Sequence, residues 1–166
     1  MRVITGSARG RRLGELKGME TRPTTDKVKE SIFNCIQFDV EDARVLDLFA
    51  GTGQLGIEAL SRGAKSALFV DKRADAVKLV RENLALCHLE ENAQVICVTH
   101  LAQIAAMADN HLFIVKKQEN NKTYTAVHTL TKDARVREIA RIIGGDDITP
   151  LKLKMAEEML GRPHES

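Results

Sequence analysis

Tryptophan is absent from this 166-residue chain, and one tyrosine and five phenylalanines are its only aromatic residues. Its core must therefore be aliphatic. The three prolines, Pro23, Pro150 and Pro163, all stand apart, so the chain contains no paired prolines. The three cysteines, Cys35, Cys87 and Cys97, are odd in number and lack metal-ligand spacing. They exclude a fully paired disulfide framework and fit free thiols in a reducing cytoplasm. No metal site is expected. No apolar run approaches the roughly 20 residues that cross a bilayer, and no secretory signal is visible. A cytoplasmic protein with no membrane partner is expected. There is no internal repeat and no low-complexity tract.

Hydrophobic residues make up 43% and charged residues 29% of the chain, ordinary values for a globular domain. The net charge of +2 is unevenly spread. Residues 1–29 carry eight basic side chains (Arg2, Arg9, Arg11, Arg12, Lys17, Arg22, Lys27 and Lys29) against Glu15, Glu20 and Asp26. Such an arm suits a polyanion such as RNA. The same charge also suits a solvated, partly ordered terminus.

Residues 2–5 and 11–16 read as a hairpin around a Gly6–Gly10 turn. Thr25 or Asp26 caps a helix to about Gln37, with Val28, Ile32, Phe33 and Ile36 on one face. Strand 44–49, helix 54–61, strand 66–71, helix 74–87 and strand 94–99 then alternate. This alternation predicts a parallel sheet with helices on both faces. A short helix over 101–108, a hairpin of strands 111–117 and 122–130, and helices 132–143 and 150–160 complete the chain.

Residues 45–56 read V-L-D-L-F-A-G-T-G-Q-L-G. A strand carrying Asp47 runs into Gly51, Gly53 and Gly56, spaced G-x-G-x-x-G. Such glycines let a backbone turn tightly and approach a ligand closely. Asp71 ends the next strand, twenty residues after Gly51. A carboxylate there can accept hydrogen bonds from ribose hydroxyls, or can start helix 74–87 as its N-cap. Asp47 and Phe49 interrupt the apolar lead-in of a dinucleotide site. The D-x-F-x-G-x-G form resembles the first motif of S-adenosylmethionine-dependent methyltransferases.

Longer stretches extend that likeness. M-R-V-I-T-G-S-A-R-G-R-R-L at the start, T-R-P-T-T-D-K-V-K-E-S-I-F-N at 21–34, the glycine motif through Ala64, and F-V-D at 69–71 resemble the RsmD family. That family methylates the exocyclic N2 of a guanine in small-subunit ribosomal RNA. The likeness covers about residues 1–93. It implies that Asp47, Phe49, Gly51, Gly53 and Asp71 hold S-adenosylmethionine. It also implies that Arg22, Pro23 and Thr24 lie in the loop covering the cofactor. Arg2, Arg9, Arg11 and Arg12 of the basic arm would then meet rRNA phosphates.

The chemistry that should accompany this pocket is missing. Methyl transfer to an exocyclic amine needs a turned-out base and an acceptor for its amino group. In that family the acceptor is an Asp or Asn followed by two prolines and an aromatic residue. No such run exists here, so no catalytic residue is assigned. Thr99 and His100 stand where an acid is expected near the adenine. Residues 95–160 instead resemble the C-terminal end of RecN, a DNA-repair ATPase. The histidine matching His100 would there sense a γ-phosphate. The chain lacks the phosphate loop and metal-binding acid that such a site requires, which argues against ATP or DNA as partners. His100 can equally be a residue that simply starts a helix.

The expected fold is an α/β three-layer sandwich, Rossmann-like, with a mostly parallel sheet and a C-terminal hairpin edge and helices. It is expected as one domain over 1–166, built from segments 1–93 and 94–166 joined near Ala93 or Gln94. The expected function is a catalytically incomplete rRNA (guanine-N2) methyltransferase with weak or vestigial S-adenosylmethionine binding. An inactive structural chimera and a RecN-type ATPase fragment are the alternatives.

Overall fold

The computed structural model describes residues 1–16, 24–119 and 122–161, which form two compact units, Met1–Val98 and Thr99–Ser166. No helix among the described residues is long and apolar enough to cross a membrane.

The first unit contains α1 (Asp26–Cys35), β1 (Arg44–Asp47), α2 (Gln54–Ser61), β2 (Ser66–Asp71), α3 (Ala74–Cys87) and β3 (Ala93–Cys97). The strands pair in parallel in the order β1-β2-β3. Their register places Val45, Ala67 and Ala93 in one row, and Asp47, Phe69 and Val95 in the next row of the same face. That face packs on Ile57, Leu60, Val80 and Leu84 of α2 and α3. Right-handed crossovers that step in one direction put both connecting helices on one side of a sheet. The opposite face carries Leu46, Leu68, Val70, Ile96 and Val98, with Leu46 56% and Val98 58% exposed. Within this unit the sheet therefore has two layers. The helices expected on both faces require later strands that step the other way.

α1 starts at Thr25, whose hydroxyl accepts from the Val28 N–H at 3.4 Å. Its inner face differs from the periodicity reading. Lys29 and Phe33 are buried, whereas Val28, Ile32 and Ile36 are at least 40% exposed. Lys29 can turn inward because the buried Glu58 carboxylate lies 3.3 Å from its Nζ. The expected N-terminal hairpin reduces to an Arg2–Arg12 antiparallel bridge, supported by Val3 N–H donating to Arg11 O at 3.0 Å.

The second unit contains α4 (Ala102–Ala106), β4 (Leu112–Glu119), β5 (Lys122–Thr129), α5 (Lys132–Gly144) and α6 (Pro150–Leu160). Ala102, Ala105, Ile139, Ala140 and Ala156 form its buried helical core. β4 and β5 pair with each other as a two-stranded antiparallel sheet. The hairpin is thus present at the expected place.

Candidate functional site

The glycine turn after β1 is built by backbone geometry that only glycine adopts readily. Gly51 and Gly53 have φ of +53° and +75°, in the left-handed region. Gly53 N–H closes the turn on Ala50 O at 2.6 Å. Gly56 serves packing instead, because a Cβ there would overlap the Phe69 ring.

Gly53 is the N-cap of α2 and has no side chain to offer its first turn. Asp47 supplies the acceptor from the neighbouring strand, its Oδ2 taking the Gly56 N–H at 3.2 Å. Burial pushes the Asp47 carboxyl above its usual range, the Gly56 N–H draws it back, and the charge of Asp71 adds to the rise. The Asp71 carboxylate ties β2 to the turn. One oxygen accepts from Gly51 N–H and the other from Arg73 N–H, each at 2.9 Å. Arg73, without a side-chain cap bond, is the N-cap of α3, so Asp71 closes a turn ahead of that helix. Each Asp71 oxygen keeps further acceptor capacity, since an ionised carboxylate offers about four lone-pair sites.

Phe49 lies beside the turn with 91% of its surface exposed. Thr24 is fastened to the same region. With the Gln54 amide in its satisfied orientation, Gln54 donates to Thr24 O at 3.2 Å and accepts from Thr24 N–H at 3.3 Å. Arg22 and Pro23 lie outside the described residues. Asp47, Gly51, Gly53 and Asp71 thus converge on one turn, and Thr24 is anchored to the helix that follows it.

Two polar residues missed by sequence reasoning complete the frame. Asn83 of α3 is buried, donates to Thr52 O at 2.9 Å and accepts from Gly14 N–H at 2.7 Å. Glu58 accepts from the N–H groups of Ile4 at 2.7 Å and Thr5 at 3.0 Å. An asparagine or glutamate inside a helical pattern carries no local sign of such distant partners.

The basic arm is therefore docked rather than loose over residues 1–16. Arg9 and Arg12 are exposed. Arg2 is exposed but pairs with Asp26 at 3.3 Å. Arg11 is half-buried and its guanidinium donates to the Leu86 carbonyl at the end of α3. His100 is exposed, just beyond β3. Among the described residues no group of three or more His, Cys, Asp or Glu could hold a metal ion.

The second unit holds a cleft of about 370 Å³ lined by Asp109, Asn110, His111, Lys132 and Arg135 among others. Arg135 spends its guanidinium there on the Ala106, Ala108 and Asp109 carbonyls, a helix-capping use.

The family profile described as conserved hypothetical protein 95 matches residues 1–115. The chain belongs to the conserved hypothetical protein 95 family. YlbH of Bacillus subtilis is 56% identical over 95 residues, which are 57% of this chain and 52% of YlbH. Ribosomal RNA small subunit methyltransferase D of Haemophilus influenzae is 41% identical over 97 residues, 58% of this chain and 50% of that protein. The chain thus spans about half the length of these family relatives. DNA repair protein RecN of Halalkalibacterium halodurans is also similar, 37% identical over 101 residues, 60% of this chain but 18% of RecN. Both expected resemblances are therefore present. Among solved structures, yhhF of Escherichia coli superposes with a TM-score of 0.52 and 28% identity, covering 70% of this chain and 80% of that one. The fold is accordingly mixed α/β with a Rossmann-like parallel sheet.

Proposed function

We propose that the chain carries the cofactor half-site of an S-adenosylmethionine-dependent rRNA (guanine-N2) methyltransferase and lacks the half that performs transfer. The observation that carries this reading is the glycine turn, with Asp71 facing it from the end of β2 through a 2.9 Å bond to Gly51 N–H. In this arrangement the unused lone pairs of Asp71 accept the ribose hydroxyls. The exposed Phe49 ring offers an apolar surface that a bound cofactor would cover. Asp47 acts through the turn, by capping α2, and not by touching the cofactor.

Binding is weak because Thr99 and His100 replace the acid expected beside the adenine. Transfer fails because no Asn or Asp with paired prolines presents an acceptor to the guanine amine. Arg2, Arg9 and Arg12 remain available to RNA phosphates, an interaction that would weaken steeply with salt. ATP and DNA are not part of this reading.

Titration calorimetry with S-adenosylhomocysteine tests it. Absence of both heat and thermal shift at millimolar ligand refutes the half-site. Transfer of labelled methyl to rRNA at rates typical of an intact enzyme refutes the incompleteness.

The similarity to RecN favours a second reading, an inactive chimera of two α/β segments in one fold. A well-folded monomer that binds neither cofactor nor RNA would select it.

A further inference from the structure

α3 forms the floor of the glycine turn. A Cβ at Gly53 would lie 3.1 Å from Val80 of that helix, whereas among the described residues a Cβ at Gly51 would meet only Phe49 O, at 3.9 Å. The Gly53 side of the turn therefore rests on α3. Asn83 stands three residues after Val80, so both lie on one face of the helix. Its carboxamide donates to Thr52 O at 2.9 Å, in the main chain between the two glycines. In a continuous helix Thr52 O would receive Gly56 N–H, four residues on. That N–H goes to Asp47 Oδ2 at 3.2 Å instead. Asn83 supplies the donor that Asp47 diverts.

The oxygen of the same carboxamide holds a different segment. Asn83 Oδ1 accepts from Gly14 N–H at 2.7 Å. These partners fix the orientation of the amide, because a carbonyl needs its NH2 and an N–H needs its oxygen. Glycine suits position 14, where a Cβ would lie 2.8 Å from Leu79 Cδ1 of α3. Met1, at the start of the same segment, brings its sulfur to 3.5 Å from the Thr52 hydroxyl. Residues 1–14 thus meet Thr52 twice, at its side chain through Met1 and at its main chain through Asn83. Asn83 is 2% exposed, so a partner lost there leaves a buried polar group unpaired.

We infer that Asn83 is a positioning residue, a bracket that holds the glycine turn from beneath and joins it to the docked end of residues 1–14, so that the turn meets its ligand already shaped. The inference rests on the cofactor reading above. Ala at position 83 removes both bonds. An ionised Asp keeps an acceptor for Gly14 N–H but has no donor for Thr52 O. The two variants therefore separate the hold on the segment from the hold on the turn.

Amide exchange and S-adenosylhomocysteine affinity test this in the full chain at about pH 8, for wild type, Asn83→Ala and Asn83→Asp. Gly14 N–H reports the segment, and Gly51 and Gly53 N–H, bonded to Asp71 and to Ala50 O, report the turn. One hydrogen bond of about 1 kcal/mol corresponds to about a fivefold change. Asn83→Ala should speed exchange at all three glycines by about fivefold and weaken S-adenosylhomocysteine binding by a similar factor, with the exchange of β2 amides unchanged. Asn83→Asp should show the same losses at Gly51, at Gly53 and in affinity, while Gly14 keeps its wild-type rate or slows. Unchanged exchange at Gly51 and Gly53 in both variants overturns the bracket. β2 exchange that rises by the same factor as the turn overturns it too, since the residue then serves stability alone. Faster turn exchange with unaltered affinity overturns the link to the ligand. A wild-type chain that binds no S-adenosylhomocysteine overturns the cofactor reading and that link together, and exchange at the three glycines then decides the bracket by itself.

Discussion

Glu58 and Lys29 form a fully buried ion pair, both at 0% exposure, but the two partners are not equally supported. The Glu58 carboxylate receives Ile4 N–H, Thr5 N–H and Arg62 Nε as well as Lys29 Nζ. Apart from Glu58, the Lys29 ammonium meets the Arg2 carbonyl at 2.5 Å. Removing Lys29 therefore leaves a carboxylate with an arginine and two backbone donors. Removing the Glu58 charge leaves an ammonium buried with neutral acceptors only. Stripping one partner from a buried pair costs about 3–5 kcal/mol. Glu58→Gln should show that full loss. Lys29→Met, which keeps volume and leaves a satisfied anion, should lose only about 1–2 kcal/mol. The double variant Lys29→Met/Glu58→Gln should be more stable than Glu58→Gln alone, because it no longer buries a lone cation. Urea unfolding at pH 7 reads these differences. With a slope of about 2 kcal/mol per M, Glu58→Gln should shift the midpoint by roughly 2 M. Amide exchange at Ile4 and Thr5 reports whether the N-terminal segment detaches. If Lys29→Met is as damaging as Glu58→Gln, or if the double variant is worse than either single change, the asymmetry argued here is wrong.

Two further outcomes follow from the glycine turn and its acids. Gly56→Ala should destabilise the first unit by about 1–3 kcal/mol through overlap with Phe69, and a Phe69→Leu background should recover part of that loss in the same urea assay. Asp47 has a folded pKa raised mainly by burial, so its contribution to stability declines as pH rises from below 3.8 through its folded value. Asp47→Asn should abolish that decline in melting temperatures measured between pH 3 and pH 7, and an unchanged pH profile would refute the assignment.

The elements themselves were legible because their signals are local. Alternating strand and helix patterns place α2, β2 and α3 at residues 54–61, 66–71 and 74–87, where they are found. Gly51 and Gly53 mark a tight turn by their identity and spacing. The inner face of α1 was legible only at Phe33. Periodicity groups Val28, Ile32, Phe33 and Ile36, of which Phe33 is buried, and nothing near Lys29 in sequence says that a carboxylate 29 residues later will accept its charge. Gln54 and Asn83 were missed for the same reason, since their partners at Thr24, Gly14 and Thr52 lie 30, 69 and 31 positions away. The hairpin was visible because two strand patterns flanking a polar turn are a local signal too.

In sequence the two acids of the turn already stand apart, Asp47 as the strand acid before the glycines and Asp71 as an acceptor for ribose hydroxyls or the start of helix 74–87. Their hydrogen bonds separate them. Asp47 is turned toward α2 and stands in for the N-cap that Gly53 lacks, so its exchange for a neutral residue changes stability before it changes any binding. Asp71 holds the turn by one bond and its own following backbone by another, and both of its oxygens retain capacity toward solvent-side donors. A turn fixed in this way by its own strands loses little freedom when a ligand arrives, and a small residual contact area can then still bind. On that argument Asp71→Asn should weaken S-adenosylhomocysteine binding more than Asp47→Asn does, even though burial pushes the Asp47 carboxyl up. The opposite order would mean that the ligand reads the strand acid directly and that the division of labour between the two carboxylates is wrong.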